Sequence, residues 1–228
     1  MPKSAPETIV TDFEKAVMTA FREKFQSCRV TGCYFHLSQA VLRKVTELGM
    51  RSDYDENDEL RGMVRCLPAL DYVREEDIVD SFELLAESMP QHDRMPELLS
   101  YFEHTYIRGH RLRGRGDNYA SALFPTDTWN KYLDVIGGVA RTNNSVEGWH
   151  HALQSLFSCH HPMMWTFLEG LCKDCQLHKA SVLQSCAGTE KRPKKKYAEL
   201  ARRIGNIVER YESMDRLLYL RSLAYLSY

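Results

Sequence analysis

Asp12, Cys33, His36 and Glu147 are the residues whose types and surroundings could carry chemistry. Asp12 follows a short β-branched run in TIVTDFEKA. A carboxylate at the C-terminal end of a parallel strand sits where open α/β sheets bind ligands, and its hard oxygens suit a magnesium ion. An Asp at a strand-to-helix junction also serves as an N-cap. Cys33 and His36 form C-x-x-H in GCYFHL. In an extended strand, residues three apart point to opposite faces, so joint action requires the strand to end or bend between them. Gly32 would permit a bend; a buried Cys beside a hydrogen-bonded His is the plainer reading. Glu147 lies in TNNSVEGWHHAL, in the first turn of an expected helix. The helix dipole favours an acid there, with Asn144 or Ser145 as cap. It also neighbours the inward stripe of Val146 and Trp149.

Cys172 and Cys175 form C-x-x-C with His178 three residues on, and Cys159-His160-His161 lies in an expected turn. Zinc ribbons place such pairs on turns, whereas Cys172 and Cys175 fall mid-helix. Cys175 continues the apolar stripe of Leu168 and Leu171, so it reads as a buried thiol. A zinc-stabilised regulatory module is the weakest of the functions considered. Two segments are basic. RGHRLRGRG carries Arg108, Arg111, Arg113 and Arg115 in a flexible loop. KRPKKK contains Lys194, Lys195 and Lys196, and from Lys191 to Arg203 seven Lys or Arg face Glu199 alone, a net of +6. Such runs are solvated surface, localisation signals or phosphate-binding patches.

The elements that must position these residues are legible in part. Glu7 to Asp12 reads as a strand, and Phe13, Val17, Phe21 and Phe25 recur at helical spacing. Arg29 to Leu37 reads as a second strand, with Ser38 capping a helix that ends at Gly49. This order implies parallel strands joined by a helical crossover. DYDENDE, Asp53 to Glu59, reads as a loop. From Leu60 to Ile107 the periodicity is helical: Ile78, Phe82, Leu85 and Met89 form one stripe, and Leu98, Phe102 and Tyr106 another. Phe124-Pro125-Thr126 introduces a helix with Trp129 and Leu133 inward. Further helices are expected over 143–157 and from Pro162 to about Gln184. The basic tail continues as an amphipathic helix carrying Leu200, Ile204, Ile207, Tyr211 and Leu218.

A chain of 228 residues, 43% hydrophobic, can bury a sizeable core. The formal net charge of -1 confines any nucleic-acid contact to local patches. The polar start is no signal peptide, no stretch is long enough to span a bilayer, and seven cysteines are an odd set for a disulfide framework. These features lead us to expect an intracellular, non-secreted, non-membrane protein, nuclear or cytoplasmic.

TDFEKA, then CYFHLSQA, then FPTDTWNKY, then RTNNSVEGWHHAL resemble the Mutator-like transposases in content and order. Asp12 precedes Cys33 by 21 residues and Glu147 by 135. The resemblance implies a truncated ribonuclease H-like core, mostly α with a small β component, interrupted by an all-helical insertion. It divides the chain into a partial βαβα segment (1–50), a helical insertion (51–141), helices completing the core (142–185) and a basic amphipathic C-terminal helix (186–228). In that family Asp, Asp and Glu hold two Mg2+ or Mn2+ ions for DNA strand cleavage and transfer. Asp12 matches the second Asp, Glu147 the Glu, and Cys33 and His36 the C-x-x-H signature. The first Asp belongs upstream of anything matched here. The expectation is a transposase fragment or remnant that is inactive alone, with DNA and a homo-oligomer as partners. The alternative is a domesticated, non-catalytic DNA-binding or protein-interaction protein.

Overall fold

The computed structural model describes residues 6–113, 118–138, 162–186 and 195–226, together with Leu153, Ser155 and Phe157. They fall into two compact units, Met1–Thr142 with Leu200–Tyr228, and Asn143–Glu199. The protein is mostly helical with a small two-stranded parallel sheet.

The sheet lies in the first unit. Strand β1 (Thr8–Thr11) pairs in parallel with β2 (Arg29–Gly32), with Thr8 opposite Arg29 and Thr11 opposite Gly32. Helix α1 (Lys15–Lys24) makes the crossover that parallel pairing requires, burying Met18. Strand β2 stops at Gly32, and helix α2 (Tyr34–Glu47) starts two residues later with Cys33 as N-cap. The sequence pattern predicts a strand to Leu37 and a cap at Ser38, and the structure corrects both. The aromatic run Tyr34-Phe35 looks β-prone, but Tyr34, Leu37, Val41 and Val45 stand at helical spacing and are all buried. That burial outweighs local preference. Gly49, at φ +74°, ends the helix as expected.

The acidic stretch expected as a loop is folded into helices α3 (Arg51–Glu56) and α4 (Asp58–Ala69). Asn57 between them caps α4, its side chain accepting from the backbone N–H groups of Glu59 at 3.0 Å and Leu60 at 3.1 Å. Asp58 and Glu59 then complement the helix dipole, so the acids are start signals. Helices α5 (Ile78–Glu87) and α6 (Met95–Phe102), the latter running into a π-helical turn at Glu103–Ile107, bury Ile78, Phe82 and Leu85 of one expected stripe and Leu98, Phe102 and Tyr106 of the other, while Met89 lies past α5 and is partly buried. Among the described residues from 51 to 138 no strand occurs, only an isolated antiparallel bridge between Arg111 and Tyr119. Helix α7 (Tyr132–Ile136) follows a 3-10 turn at Thr126–Thr128.

In the second unit, helix α8 (Met164–Cys186) spreads its apolar residues around its circumference. Met164, Trp165, Leu177 and Leu183 are exposed, and so is Cys175, which corrects the expectation of a buried thiol. Gly170 lies where the Phe157 ring leaves no room for a Cβ, with a gap of 2.1 Å.

The C-terminal segment is two helices rather than one: α9 (Lys195–Val208) and α10 (Arg216–Leu226). The turn between them resets the helical phase, so Ile204 and Tyr211 are buried while Leu218 is 56% exposed. Helix α10 packs on α4 and buries Tyr219, Leu220 and Leu223 completely. Residues 200–226 thus complete the core of the first unit. None of the described helices is long and apolar enough to cross a membrane.

Candidate functional site

Asp12 leaves the C-terminal end of β1, and Cys33 and His36 lie just past the parallel end of β2. The sheet register sets this juxtaposition: Thr11 pairs with Gly32, and the Cys33 N–H donates to the Thr11 carbonyl at 2.8 Å. Because α2 begins at Tyr34, Cys33 and His36 are separated by the first helical turn, which removes the opposite-face problem of an extended strand. Cys33 is fully buried. His36 Nδ1 lies 3.1 Å from Asp12 Oδ1, with the His side chain 21% exposed and the Asp side chain 58% exposed. Asp12 does not cap α1; Glu14 holds the N-cap position. Its carboxylate instead faces the histidine of the C-x-x-H.

Phe13 fixes the backbone beside Asp12. Its ring sits edge-on to Tyr106 and Phe124, at centroid distances of 5.5 and 5.1 Å. On the other side it lies over Gly32, where a Cβ would come within 2.3 Å of the ring. Gly32 therefore serves close approach, not the bend expected from the sequence.

Behind this end of the sheet lies a buried polar network that the sequence did not reveal. Lys131, with no exposed surface, donates to Thr31 Oγ1 at 2.7 Å and lies 3.4 Å from Asp134 Oδ2. Arg29 pairs with Asp134 and donates to the Asn130 carbonyl at 2.7 Å. The Lys131 N–H donates to the carbonyl of Asp71, another fully buried acid. Burial pushes the Lys131 ammonium down from its ordinary range, and the neighbouring carboxylates of Asp71 and Asp134 oppose that push. Thr31 Oγ1 donates to the Thr128 carbonyl at 3.1 Å, and Asn130 Nδ2 to that of Val73 at 2.7 Å. FPTDTWNKY is thus a clamp that holds β2 against the helical region. The same network corrects the expectation for α7: Leu133 is 72% exposed, and Lys131 and Asp134 take the inward positions.

Glu147 lies outside the described residues, as do Arg115, Lys194, Cys159, His160 and His161. The structure therefore brings together Asp12, Cys33 and His36 from the expected set. Among the described residues no group of three or more His, Cys, Asp or Glu could hold a metal ion. The donor set for two hard divalent cations is not assembled by them, and Cys172, Cys175 and His178 are not grouped as a metal site among the described residues. His178 instead contacts its own helix at Asp174, Nδ1 lying 3.0 Å from the backbone carbonyl.

The described part of the arginine loop, 108–113, is tied by backbone hydrogen bonds to 118–120. The backbone pairs Gly109 with Ala120 and Leu112 with Asn118, at 2.8 Å each. Arg108 donates to Glu103 at 2.6 Å and Glu83 at 2.7 Å and stacks over Tyr119, so its charge is compensated in place. Arg111 and Arg113 remain on the exposed side. Lys195 and Lys196 open α9. No protein-family profile, curated protein or solved structure matches the chain.

Proposed function

We propose that the chain is the C-terminal part of a Mutator-like transposase catalytic domain, a fragment or remnant of a DDE-type enzyme. The observation that carries the reading is the meeting of Asp12 with the C-x-x-H histidine at the C-terminal edge of a parallel strand pair, where α/β folds place their chemistry. A helical stretch then separates Asp12 from Glu147, as an insertion between the second and third carboxylates would. On this reading β1 and β2 are the remainder of a ribonuclease H-like core. Asp12 and Glu147 are its second and third carboxylates, Mg2+ or Mn2+ its ions, and DNA in the nucleus its substrate, handled by an oligomer of such chains. Among the described residues Asp12 is the carboxylate at this strand end.

The 228 residues lack a match for the first Asp, so the chain alone does not cleave DNA. Two-metal phosphoryl transfer needs ligands enough to fix both ions at about 4 Å spacing, and Asp12 with Glu147 would hold at most one well. The test is plasmid nicking with magnesium or manganese on the purified chain beside Glu147→Gln. Absence of nicking in both is expected. Robust nicking abolished by the substitution would show that another carboxylate replaces the missing one.

A second reading, a non-catalytic DNA-binding or protein-interaction protein, is favoured by the exposed cations of the Arg111 to Arg113 segment and by the exposed apolar side chains of α8. Salt-sensitive DNA binding without cleavage would select it.

A further inference from the structure

Helices α9 and α10 enclose an open groove of about 530 Å³ in the first unit. Arg203 and Asn206 line it from α9, Arg210 from the turn that follows, and Arg221, Ser222 and Tyr225 from α10. The spacing of Arg203 and Asn206 puts both side chains on one face of α9, and the turn beyond Val208 brings Arg210 to the same groove. All three arginines are exposed, and no acid lines the groove. Among the described residues none of the three takes part in an ion pair; Arg221 touches Met63 Sδ at 3.2 Å through its Nε. Other arginines of this region are compensated: Arg216 stacks on Tyr211 and lies 3.7 Å from Asp77, and Arg74 pairs with Glu212. The groove thus carries three arginines without an ion-pair partner among the described residues, while Arg221 and Tyr225 also border a neighbouring hollow with Asp58 and Glu59. Tyr225 stands at its edge with 80% of its surface exposed, an unusual state for a large aromatic ring anchored by a buried helix.

We propose that this groove binds a single-stranded nucleic acid, its phosphodiester backbone held by Arg203, Arg210 and Arg221 and a base stacked on Tyr225. Guanidinium groups suit phosphate oxygens through paired N–H donors, and the side-chain amide of Asn206 adds a neutral donor beside them. A basic groove that tracks the backbone beside an aromatic platform is the general solution for single strands. A duplex keeps its bases stacked on one another and gains nothing from Tyr225. The site lies outside the residues that carry the transposase resemblance and does not depend on Asp12 or Glu147.

The test is fluorescence anisotropy of the full chain with a labelled single strand of about 16 nucleotides, titrated across salt concentrations. Each lost phosphate contact should reduce the salt slope by roughly 0.7. The variant Arg203→Gln/Arg210→Gln/Arg221→Gln should therefore flatten the slope by about 2 and weaken binding at least tenfold. Arg203→Gln/Arg210→Gln, which leaves the Met63 contact intact, should flatten it by about 1.4 if the larger variant folds poorly. Tyr225→Ala should weaken single-strand binding about tenfold at unchanged slope and leave duplex binding unaltered. Arg111→Gln/Arg113→Gln should leave the groove's contribution in place, separating it from the loop. Failure of the wild type to bind the single strand, or an unchanged slope in both arginine variants, overturns the proposal. So does a loss confined to binding of anionic phospholipid vesicles.

Discussion

At the scale of single residues, the decisive contact is Gly32 against Phe13. A methyl group on Gly32 would enter the ring's volume, and the ring is fixed by Tyr106 and Phe124, so it cannot simply swing away. Gly32→Ala is expected to destabilise the fold by about 1–3 kcal/mol, the usual cost of overpacking, and to separate Asp12 from His36. Chemical denaturation measures the first effect. Loss of coupling between Asp12→Asn and His36→Ala in a double-mutant cycle on the Gly32→Ala background would measure the second. Cysteine chemistry offers an independent check. Cys66 is fully buried on α4, and burial pushes its thiol up to about 12. A thiol with a folded pKa above its unfolded value of 9.0 contributes stability below pH 9 that is lost as pH rises toward about 12. Native-state alkylation at neutral pH should modify exposed Cys172 and Cys175 and spare Cys33 and Cys66. Rapid modification of Cys66 in the native state would contradict the packing of α4.

At the scale of elements, the clamp between FPTDTWNKY and β2 determines whether the small sheet stays attached. Removing one member of a buried ion network leaves its partner charged and desolvated. Lys131→Met should cost about 3–5 kcal/mol, because Asp134 and Asp71 lose their buried cation. Lys131→Met/Asp134→Leu should cost less than the sum of the single changes, a non-additivity that equilibrium unfolding resolves. Additive losses would show that Lys131 and Asp134 act separately. This network also explains what the sequence concealed. The stripes Ile78/Phe82/Leu85 and Leu98/Phe102/Tyr106 were legible because apolar burial repeats at the helical period. The orientation of α7 was not, because its inward side is Tyr132 and Asp134, continued by Lys131 at its N-cap, while its apolar Leu133 faces outward. Periodicity read on apolar residues alone points such a helix the wrong way. The boundary between β2 and α2 was hidden for a related reason. Cys33 to His36 is locally β-prone, and the helix that claims these residues is set by Leu37, Val41 and Val45 further on. The pairing of Asp12 with His36 depends on that boundary. The residue types of the site were therefore visible in the sequence, but not the helical turn that presents the histidine.

At the scale of the whole molecule, the C-terminal segment changes role. Read from its lysines it is a basic tail; in the fold its last helix fills the core that α4 and α5 leave open. The turn between α9 and α10 is tied to the body by Tyr211, whose hydroxyl donates to Asp77 at 2.6 Å, and α10 by Tyr219, whose hydroxyl donates to the Tyr72 carbonyl at 2.6 Å. Tyr211 also packs edge-on against Tyr132 and Tyr219, at 5.3 and 5.2 Å. Burial pushes the Tyr211 and Tyr219 hydroxyls up, so both stay protonated donors at neutral pH. A segment held in this way cannot be removed as an appendage. Leu223, completely buried against α4, should cost about 2–5 kcal/mol when changed to Ala. Leu218, exposed on the same helix, should cost within about 0.5 kcal/mol for the same change. The contrast follows from the phase of α10, since a continuous helix from Lys195 would have turned Leu218 inward. Chain shortened after Val208 should lose cooperative unfolding altogether, because Tyr219, Leu220 and Leu223 leave together and the exposed side of α4 gains an apolar patch open to association. Thermal melts of the two point variants and of the shortened chain make the measurement. Equal losses for Leu218→Ala and Leu223→Ala, or a shortened chain that melts like the full one, would return the segment to the status of a tail.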